Sequence, residues 1–188
     1  TIVNIAPAFG GINLEDISAP RCFEIEERLK ELLDIPVFHD DQHGTAIVVL
    51  AGIINALKVT GKQKDSCKVV VNGAGSAGIA ITKLLLTYGF SHITMCDING
   101  ILSKNSPNLN YMQKYMTEVT NLEEKEGTLA DALCGADIFI GVSAPNIVTE
   151  DMVTSMNKDA ILFAMANPVP EIMPDLAKKA GAKVVGIG

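Results

Sequence analysis

The sequence lacks tryptophan, is poor in aromatic residues and has a deficit of positive charge. Only 5% of its 188 residues are aromatic, and 15 Lys and Arg residues stand against 22 Asp and Glu residues. The formal net charge of −7 does not suit the phosphates of nucleic acids or an anionic membrane surface, so we expect neither as a partner. No uninterrupted apolar run reaches the roughly 20 residues of a membrane span.

The four cysteines are scattered, and no two of them form a CxxC pair. This usage predicts reduced, half-buried thiols in a cytoplasmic protein rather than a disulfide framework. The 48% hydrophobic content excludes an intrinsically disordered chain. At this length a hydrophobic core can be stable without crosslinks.

The pattern beyond residue 62 is a regular alternation of apolar strands with helices. Five strands are predicted, at Lys68–Val71, His92–Cys96, Asp137–Ile140, Ala160–Phe163 and Val184–Gly186. Such alternation predicts an α/β fold with a doubly wound parallel sheet that is covered on both faces. The chain starts without Met on an apolar segment and stops on a strand, so we expect a piece of a longer protein.

The first 62 residues are less regular and are expected to form a separate segment. The pattern predicts a strand at 1–5, a helix capped by Ser18 with Glu26 facing water, a strand at 35–38 and a polar loop at 39–44. The helix predicted at 45–59 is apolar nearly all round, so we expect it to be deeply buried.

A glycine-rich loop lies between the first predicted strand of the sheet and the following helix. It matches GxGxxG and consists of Gly73, Ala74, Gly75, Ser76, Ala77 and Gly78. The first glycine permits a tight turn, the second lets the backbone approach a pyrophosphate, and the third allows close helix packing. The helix N-terminus then presents free N–H groups to two phosphates.

Asp97 ends the next predicted strand, about 20 residues beyond the loop, where an acidic residue binds the adenosine ribose. Because this carboxylate repels a 2′-phosphate, it favours NAD over NADP. Lys83 or Lys104 could offset that repulsion, so NADP stays open. A flavin or another adenine cofactor also stays open, as does a loop that binds nothing.

Two further loops follow predicted strands at the same edge of the sheet. One contains Ser143 and the other Asn167. Ligands of open parallel sheets sit outside the carboxyl ends of the strands. Ser143 and Asn167 are therefore candidates to contact the nicotinamide ribose or a substrate, and ordinary proline turns are the alternative.

Two adjacent acidic pairs, Glu15–Asp16 and Asp40–Asp41, lie in predicted loops. Neighbouring carboxylates repel one another unless they are solvated or bound to a cation, and their hard oxygens suit Mg²⁺ or Mn²⁺. His39 and His43 are four residues apart, a spacing that suggests zinc only on a helix. Two solvated acidic turns are the alternative to a metal site.

Together these residues resemble malic enzymes of the shorter, bacterial type. The resemblance is carried by Asn4–Asp16, Ile35–Ala46 and Ala164–Pro168, with the glycine loop between the last two. It implies a Rossmann-like domain over 63–188, preceded by a metal and substrate segment over 1–62. It also implies oxidative decarboxylation of malate to pyruvate and CO₂ with NAD or NADP, Mg²⁺ or Mn²⁺, and a homodimer or higher homo-oligomer.

The resemblance assigns roles to individual residues. Glu15, Asp16 and Asp41 would be the metal ligands, and Asp40 would support the site. Asn167 would contact malate near the nicotinamide, and Asp41 and Thr45 would lie beside the cofactor.

The lysine base and tyrosine acid of the family are not found in matching positions here, so we expect this chain to bind the dinucleotide without turnover. The alternatives are a non-catalytic dinucleotide-binding module and a 2-hydroxy acid dehydrogenase that does not decarboxylate.

Overall fold

The computed structural model describes residues 1–188. Its α-helices are α1 (Ile2–Ile5), α2 (Arg21–Leu32), α3 (Thr45–Thr60), α4 (Ser76–Tyr88), α5 (Tyr111–Val119), α6 (Leu129–Leu133), α7 (Glu150–Thr154) and α8 (Pro174–Lys179). Its strands are β1 (Ile12–Leu14), β2 (Val37–His39), β3 (Lys68–Asn72), β4 (His92–Asp97), β5 (Gly100–Ile101), β6 (Ile138–Gly141), β7 (Ile161–Ala164) and β8 (Val184–Ile187).

Six of the strands form one sheet in the order β5-β4-β3-β6-β7-β8, and all neighbours are parallel except β4 and β5. The five predicted strands are confirmed to within one residue at each end. The short strand β5 was not predicted. Chain order reverses at β3, because β4 lies on one side of it and β6 on the other, and ligands of such sheets bind outside this switch point.

Both faces of the sheet are covered, as the continuous apolar strands predicted. Val69 and Val71 pack into one core with α2, α3, α4 and α5, whereas Val70 between them packs into the opposite core with α6, α7 and α8. Because successive side chains of a strand point to opposite faces, both cores receive side chains from β3, β4, β6, β7 and β8. The doubly wound α/β prediction is therefore confirmed.

The start of the chain differs from its prediction. Residues 2–5 form α1 rather than a strand, and residues 6–8 continue as a 3₁₀ turn. β-branched residues make a strand only where a neighbouring strand accepts their hydrogen bonds. Here the parallel partner of β2 is β1, which lies after the Pro/Gly loop.

Two further local predictions were wrong. Ser18 does not cap α2, which begins at Arg21 with Pro20 preceding it and no side-chain cap. Residues 40–44 are a π-helical turn that runs directly into α3, not a loop. Single π turns occur frequently at functional sites in proteins.

The helix α3 is only half buried, contrary to the prediction from its composition. Ala46, Val49 and Ile53 face the core, whereas Ile47 and Val48 are 55% and 63% exposed. With the π turn it forms a 21-residue helix, Asp40–Thr60, that is long and apolar enough to span a membrane by length and composition alone. It packs on α4 and against β7 and β8.

All four cysteines are free thiols, and three of them are buried. Burial, with a smaller contribution from the charge of Asp97, raises the pKa of Cys96 to about 12. This thiol therefore stays protonated at neutral pH and is a poor nucleophile. Cys134 is the exposed thiol.

Candidate dinucleotide-binding site

The glycine loop connects β3 to α4 at the switch point of the sheet. Gly73 has φ +124°, and a Cβ there would lie 2.6 Å from the carbonyl oxygen of Val142. A Cβ on Gly78 would overlap the carbonyl oxygen of Gly73. The first and third glycines thus serve the fold, because the turn and the close approach of α4 both require them.

Gly75 differs from these two glycines. Its backbone is extended, with φ −93° and ψ −164°, and a Cβ built on it meets no atom within 4 Å. Local packing therefore does not require a glycine at this position. The open space lies beside the first turn of α4, where N–H groups have no partner within the helix.

Two clefts adjoin the loop. The first, about 450 Å³, is lined by residues from the ends of β3 and β4 and from the loops near β6, among them Asn72, Gly73, Ala74, Asp97, Ile98, Leu129 and Ser143. The second, about 270 Å³, is lined among others by Asp41, Thr45, Ser76, Ala77, Ser143 and Asn167. Ser143 lines both, so the two clefts adjoin at this residue on the carboxyl edge of the sheet, and together they are called the groove below.

Asp97 has one carboxylate oxygen available to a ligand in the first cleft. Its Oδ1 accepts a hydrogen bond of 2.7 Å from the backbone N–H of Asn99, and this bond orients the side chain. Ile98 beside it is 99% exposed. An exposed isoleucine beside a fixed carboxylate suits the apolar face of a base next to a ribose hydroxyl.

Ser143 is held from two sides. Its Oγ accepts a hydrogen bond of 2.7 Å from Asn72 Nδ2, and its backbone N–H donates to Glu171. Because the Oγ accepts from Asn72, its own proton is available for another acceptor. Sequence reasoning missed Asn72 and Glu171, although the polar residue that ends the apolar strand β3 was a signal for the first of them.

The short parallel sheet brings the two acidic pairs to one edge. Leu14 at the end of β1 is in register with His39 at the end of β2, so the residues that follow both strands emerge together. The backbone N–H of Asp16 donates to Asp41 Oδ2 at 2.9 Å. Glu15 instead accepts a hydrogen bond from the side chain of Asn13.

The structure therefore joins Asp16 to Asp41 without assembling a complete metal site. No group of three or more His, Cys, Asp or Glu side chains is close enough to hold a metal ion. The oxygen donors nevertheless have the chemistry that Mg²⁺ and Mn²⁺ prefer. Asp41 also lines the second cleft, so this edge opens onto the candidate nicotinamide end.

A buried glutamate anchors the π turn that carries Asp40 and Asp41. Glu26, expected to face water, is only 5% exposed. Its Oε1 lies 2.5 Å from His43 Nε2 and 2.7 Å from Lys30 Nζ. Burial acts to raise the pKa of Glu26, but the hydrogen bonds and charges of Lys30 and His43 outweigh it and lower that pKa.

The two histidines of the zinc alternative have different surroundings. His43 is bound to Glu26, and both ring nitrogens of His39 are buried without a hydrogen-bond partner. Neither histidine belongs to a cluster of metal-ligand side chains.

Comparison with known families resolves the identity of the fold. Residues 42–178 match the family "Malic enzyme, NAD binding domain". The chain belongs to the malic enzyme family. The NAD-binding fold and the resemblance noted in the sequence are thereby confirmed.

Relatives in this family are similar over nearly the whole chain. The bifunctional malic/malolactic enzyme of Bacillus subtilis is 57% identical over 100% of this chain, and an NADP-dependent malic enzyme of Rhizobium meliloti is 51% identical over 91%. The crystal structure of the NAD-dependent malic enzyme from Thermotoga maritima superposes with a TM-score of 0.97 at 50% identity, covering 100% of this chain.

The chain spans only part of these malic enzymes. It covers 46% of the Bacillus protein, 22% of the Rhizobium protein and 50% of the Thermotoga chain. Both NAD- and NADP-dependent enzymes are among the relatives, so a nicotinamide dinucleotide is supported as the cofactor. The relatives do not decide between NAD and NADP.

Proposed function

We propose that this malic enzyme chain binds NAD⁺, with NADP⁺ as the alternative cofactor, and takes part in the oxidative decarboxylation of malate to pyruvate and CO₂. The observation that carries the proposal is the second cleft. Asp41 and Thr45 from the first segment line it together with Asn167 and the first turn of α4. A dinucleotide and a metal-held substrate would therefore meet in one place.

The cofactor would lie along the groove from β4 to β7. Asp97 would accept hydrogen bonds from the adenosine ribose, and the residues from Gly73 to Gly78 would bind the pyrophosphate with backbone N–H groups. Ser143 would donate its hydroxyl proton to the nicotinamide ribose. Asn167 would orient malate against the nicotinamide ring, so that the C2 hydride faces its acceptor.

The metal of this reaction would be Mg²⁺ or Mn²⁺, with Glu15, Asp16 and Asp41 as its ligands and Asp40 as a supporting carboxylate. When bound, such a cation withdraws electron density from the oxygens of a 2-hydroxy acid and stabilises the negative charge that develops as CO₂ leaves. The hydrogen bond from the Asp16 N–H to Asp41 supports this set, because it already holds two of the three residues together.

The reaction is tested by its products. Incubation of malate, NAD⁺ and Mn²⁺ with the protein that carries this chain is expected to yield NADH, pyruvate and CO₂ in equal amounts, with no turnover when EDTA replaces Mn²⁺. Formation of oxaloacetate without CO₂ would establish a non-decarboxylating dehydrogenase. Nucleotide binding without any product would favour the non-catalytic module.

The ribose role of Asp97 is tested by calorimetric titration. Asp97→Ala is expected to weaken NAD⁺ binding about tenfold or more, the value of a hydrogen bond to a charged group. NADP⁺ binding is expected to change little or to improve, because the variant removes repulsion of the 2′-phosphate. Asp34→Ala, at an exposed aspartate that makes no side-chain hydrogen bond, is the control. Equal losses for both nucleotides would contradict the assignment.

We also propose that the protein is a cytoplasmic homodimer or higher homo-oligomer with no nucleic-acid or membrane partner. Four free thiols support a reducing compartment. The exposed apolar residues Ile47, Val48 and Val59 of α3 support coverage by another protein surface.

A further inference from the structure

Glu171 is a buried carboxylate to which neither the sequence motifs nor the proposed chemistry assigns a role. It lies between β7 and α8 and has no solvent exposure. None of the ion pairs of the structure includes it. A buried carboxylate without an ionic partner must be stabilised by hydrogen bonds to its oxygens. The groups that donate these bonds therefore identify the segments that Glu171 holds in place.

The two donors come from two different loops of the groove. Glu171 Oε1 accepts from the backbone N–H of Ser143 at 3.0 Å, in the loop after β6. Glu171 Oε2 accepts from the backbone N–H of Ala166 at 3.1 Å, in the loop after β7 and directly before Asn167. One rigid carboxylate therefore sets the distance between the backbones that carry Ser143 and Asn167.

The surroundings of this carboxylate indicate a dedicated place for it. A Cβ on Gly141 would overlap the carboxylate of Glu171, so the glycine at the end of β6 makes room for it. The backbone carbonyl of Glu171 accepts from Val148, and that of Pro170 accepts from Asn146. Three hydrogen bonds thus join the loop after β6 to the loop after β7, one of them through the Glu171 side chain. A fourth, from the Ala166 N–H, ties the start of the second loop to the same carboxylate.

We propose that Glu171 is a positioning residue that sets Ser143 and Asn167 for the nicotinamide end of the dinucleotide. The inference rests on the proposed orientation of the cofactor in the groove. Neither Asp97 nor the glycine loop, which would hold the adenine and pyrophosphate, is hydrogen-bonded to the Glu171 carboxylate. Loss of the carboxylate therefore affects one half of the cofactor and spares the other.

Glu171→Gln tests this role because it keeps the size of the side chain but turns one acceptor into an NH₂ donor that faces a backbone N–H. Binding of NAD⁺ is compared with that of ADP, which carries the adenine, ribose and pyrophosphate but no nicotinamide. We expect the affinity for NAD⁺ to fall about tenfold, the loss of one oriented charged hydrogen bond, and that for ADP to stay within about twofold. The fluorescence change of NADH on binding is expected to diminish in the same variant. Glu31→Gln, at an exposed glutamate, is the control.

Equal losses of NAD⁺ and ADP affinity, or no loss of either, would overturn the positioning role. If the unmodified chain binds neither ligand, the proposed function fails first, and this inference with it.

A second measurement needs no variant, in case Glu171→Gln does not fold. The NMR signal of the Ala166 amide is expected to shift when NAD⁺ is added to the unmodified chain and to stay in place with ADP. A constant signal with both, despite NAD⁺ binding, would also overturn the inference.

Discussion

Gly75→Val is expected to weaken dinucleotide binding about 100-fold while the thermal unfolding of the chain changes little. The backbone at Gly75 is accessible to any L-residue, and no atom lies within 4 Å of a Cβ there. The side chain would occupy the space beside the first turn of α4 and keep a pyrophosphate away from its N–H groups. Because each such charged hydrogen bond is worth about 1.5 kcal/mol or more, loss of two weakens binding about 100-fold.

Gly78→Ala is the matched contrast within the same loop. Its Cβ would overlap the carbonyl oxygen of Gly73, so this variant is expected to unfold at a lower temperature than the parent chain. Gly10→Val, at a glycine with nothing within 4 Å, is the neutral control. Calorimetric titration with NAD⁺ and thermal melts of all three variants separate the two effects. Unaltered NAD⁺ binding by folded Gly75→Val would remove the glycine loop from the pyrophosphate site.

Asp137→Ala is expected to lower the free energy of unfolding by about 3 kcal/mol, as the removal of one partner from a buried ion pair does. Asp137 Oδ1 lies 2.7 Å from Lys62 Nζ, and Oδ2 accepts from the backbone N–H of Lys68 at 2.9 Å. Both charged side chains are largely buried. The carboxylate thus connects the polar segment before β3 to the start of β6, and its loss leaves the Lys62 ammonium without a partner.

The same carboxylate makes stability dependent on pH in the acid range. Burial acts to raise the pKa of Asp137, but hydrogen bonds from Lys62, Lys68 and Asn157 and the charge of Lys62 outweigh it, so that the pKa is lowered on folding. A lowered folded-state pKa stabilises the fold above the unfolded value, about 3.9, and this contribution is lost as the pH falls through the folded pKa.

Urea unfolding of the parent chain and of Asp137→Ala checks this sign. The difference between their unfolding free energies is expected to be largest at pH 7 and to shrink below about pH 4. Asp137→Asn, which keeps an acceptor but loses the charge, is expected to lie between the two at pH 7. A difference that is the same at pH 7 and pH 3 would contradict a contribution from the ionised pair.

The regular part of the fold was predictable because its signals are local. The strands from β3 to β8, apart from β5, were located to within one residue, and the glycine loop was placed between β3 and α4. A buried parallel strand requires a continuous apolar run, and the tight turn after it requires glycine. Both can therefore be recognised from residues that are neighbours in the sequence.

The first segment was predicted less well because its structure depends on distant partners. Residues 1–5 have the composition of a strand but no neighbouring strand to pair with, and the apolar helix α3 has a core on only one side. Glu26 has the spacing of a surface residue, yet His43 and Lys30 hold it in the interior. The spacing of residues along α2 does not reveal that a side chain from the π turn, His43, will pair with Glu26.

The sequence by itself carried the resemblance to malic enzymes. It also determined the five parallel strands of the large sheet, the glycine loop and the acidic residue that ends β4. Each of these depends on residues close together in the chain. Only the tertiary structure decided that the ends of β1 and β2 join Asp16 to Asp41 and that the two clefts meet at Ser143. It also decided that Glu171 joins two loops separated by more than 20 residues, because a hydrogen bond between distant segments exists only once the sheet has brought them together.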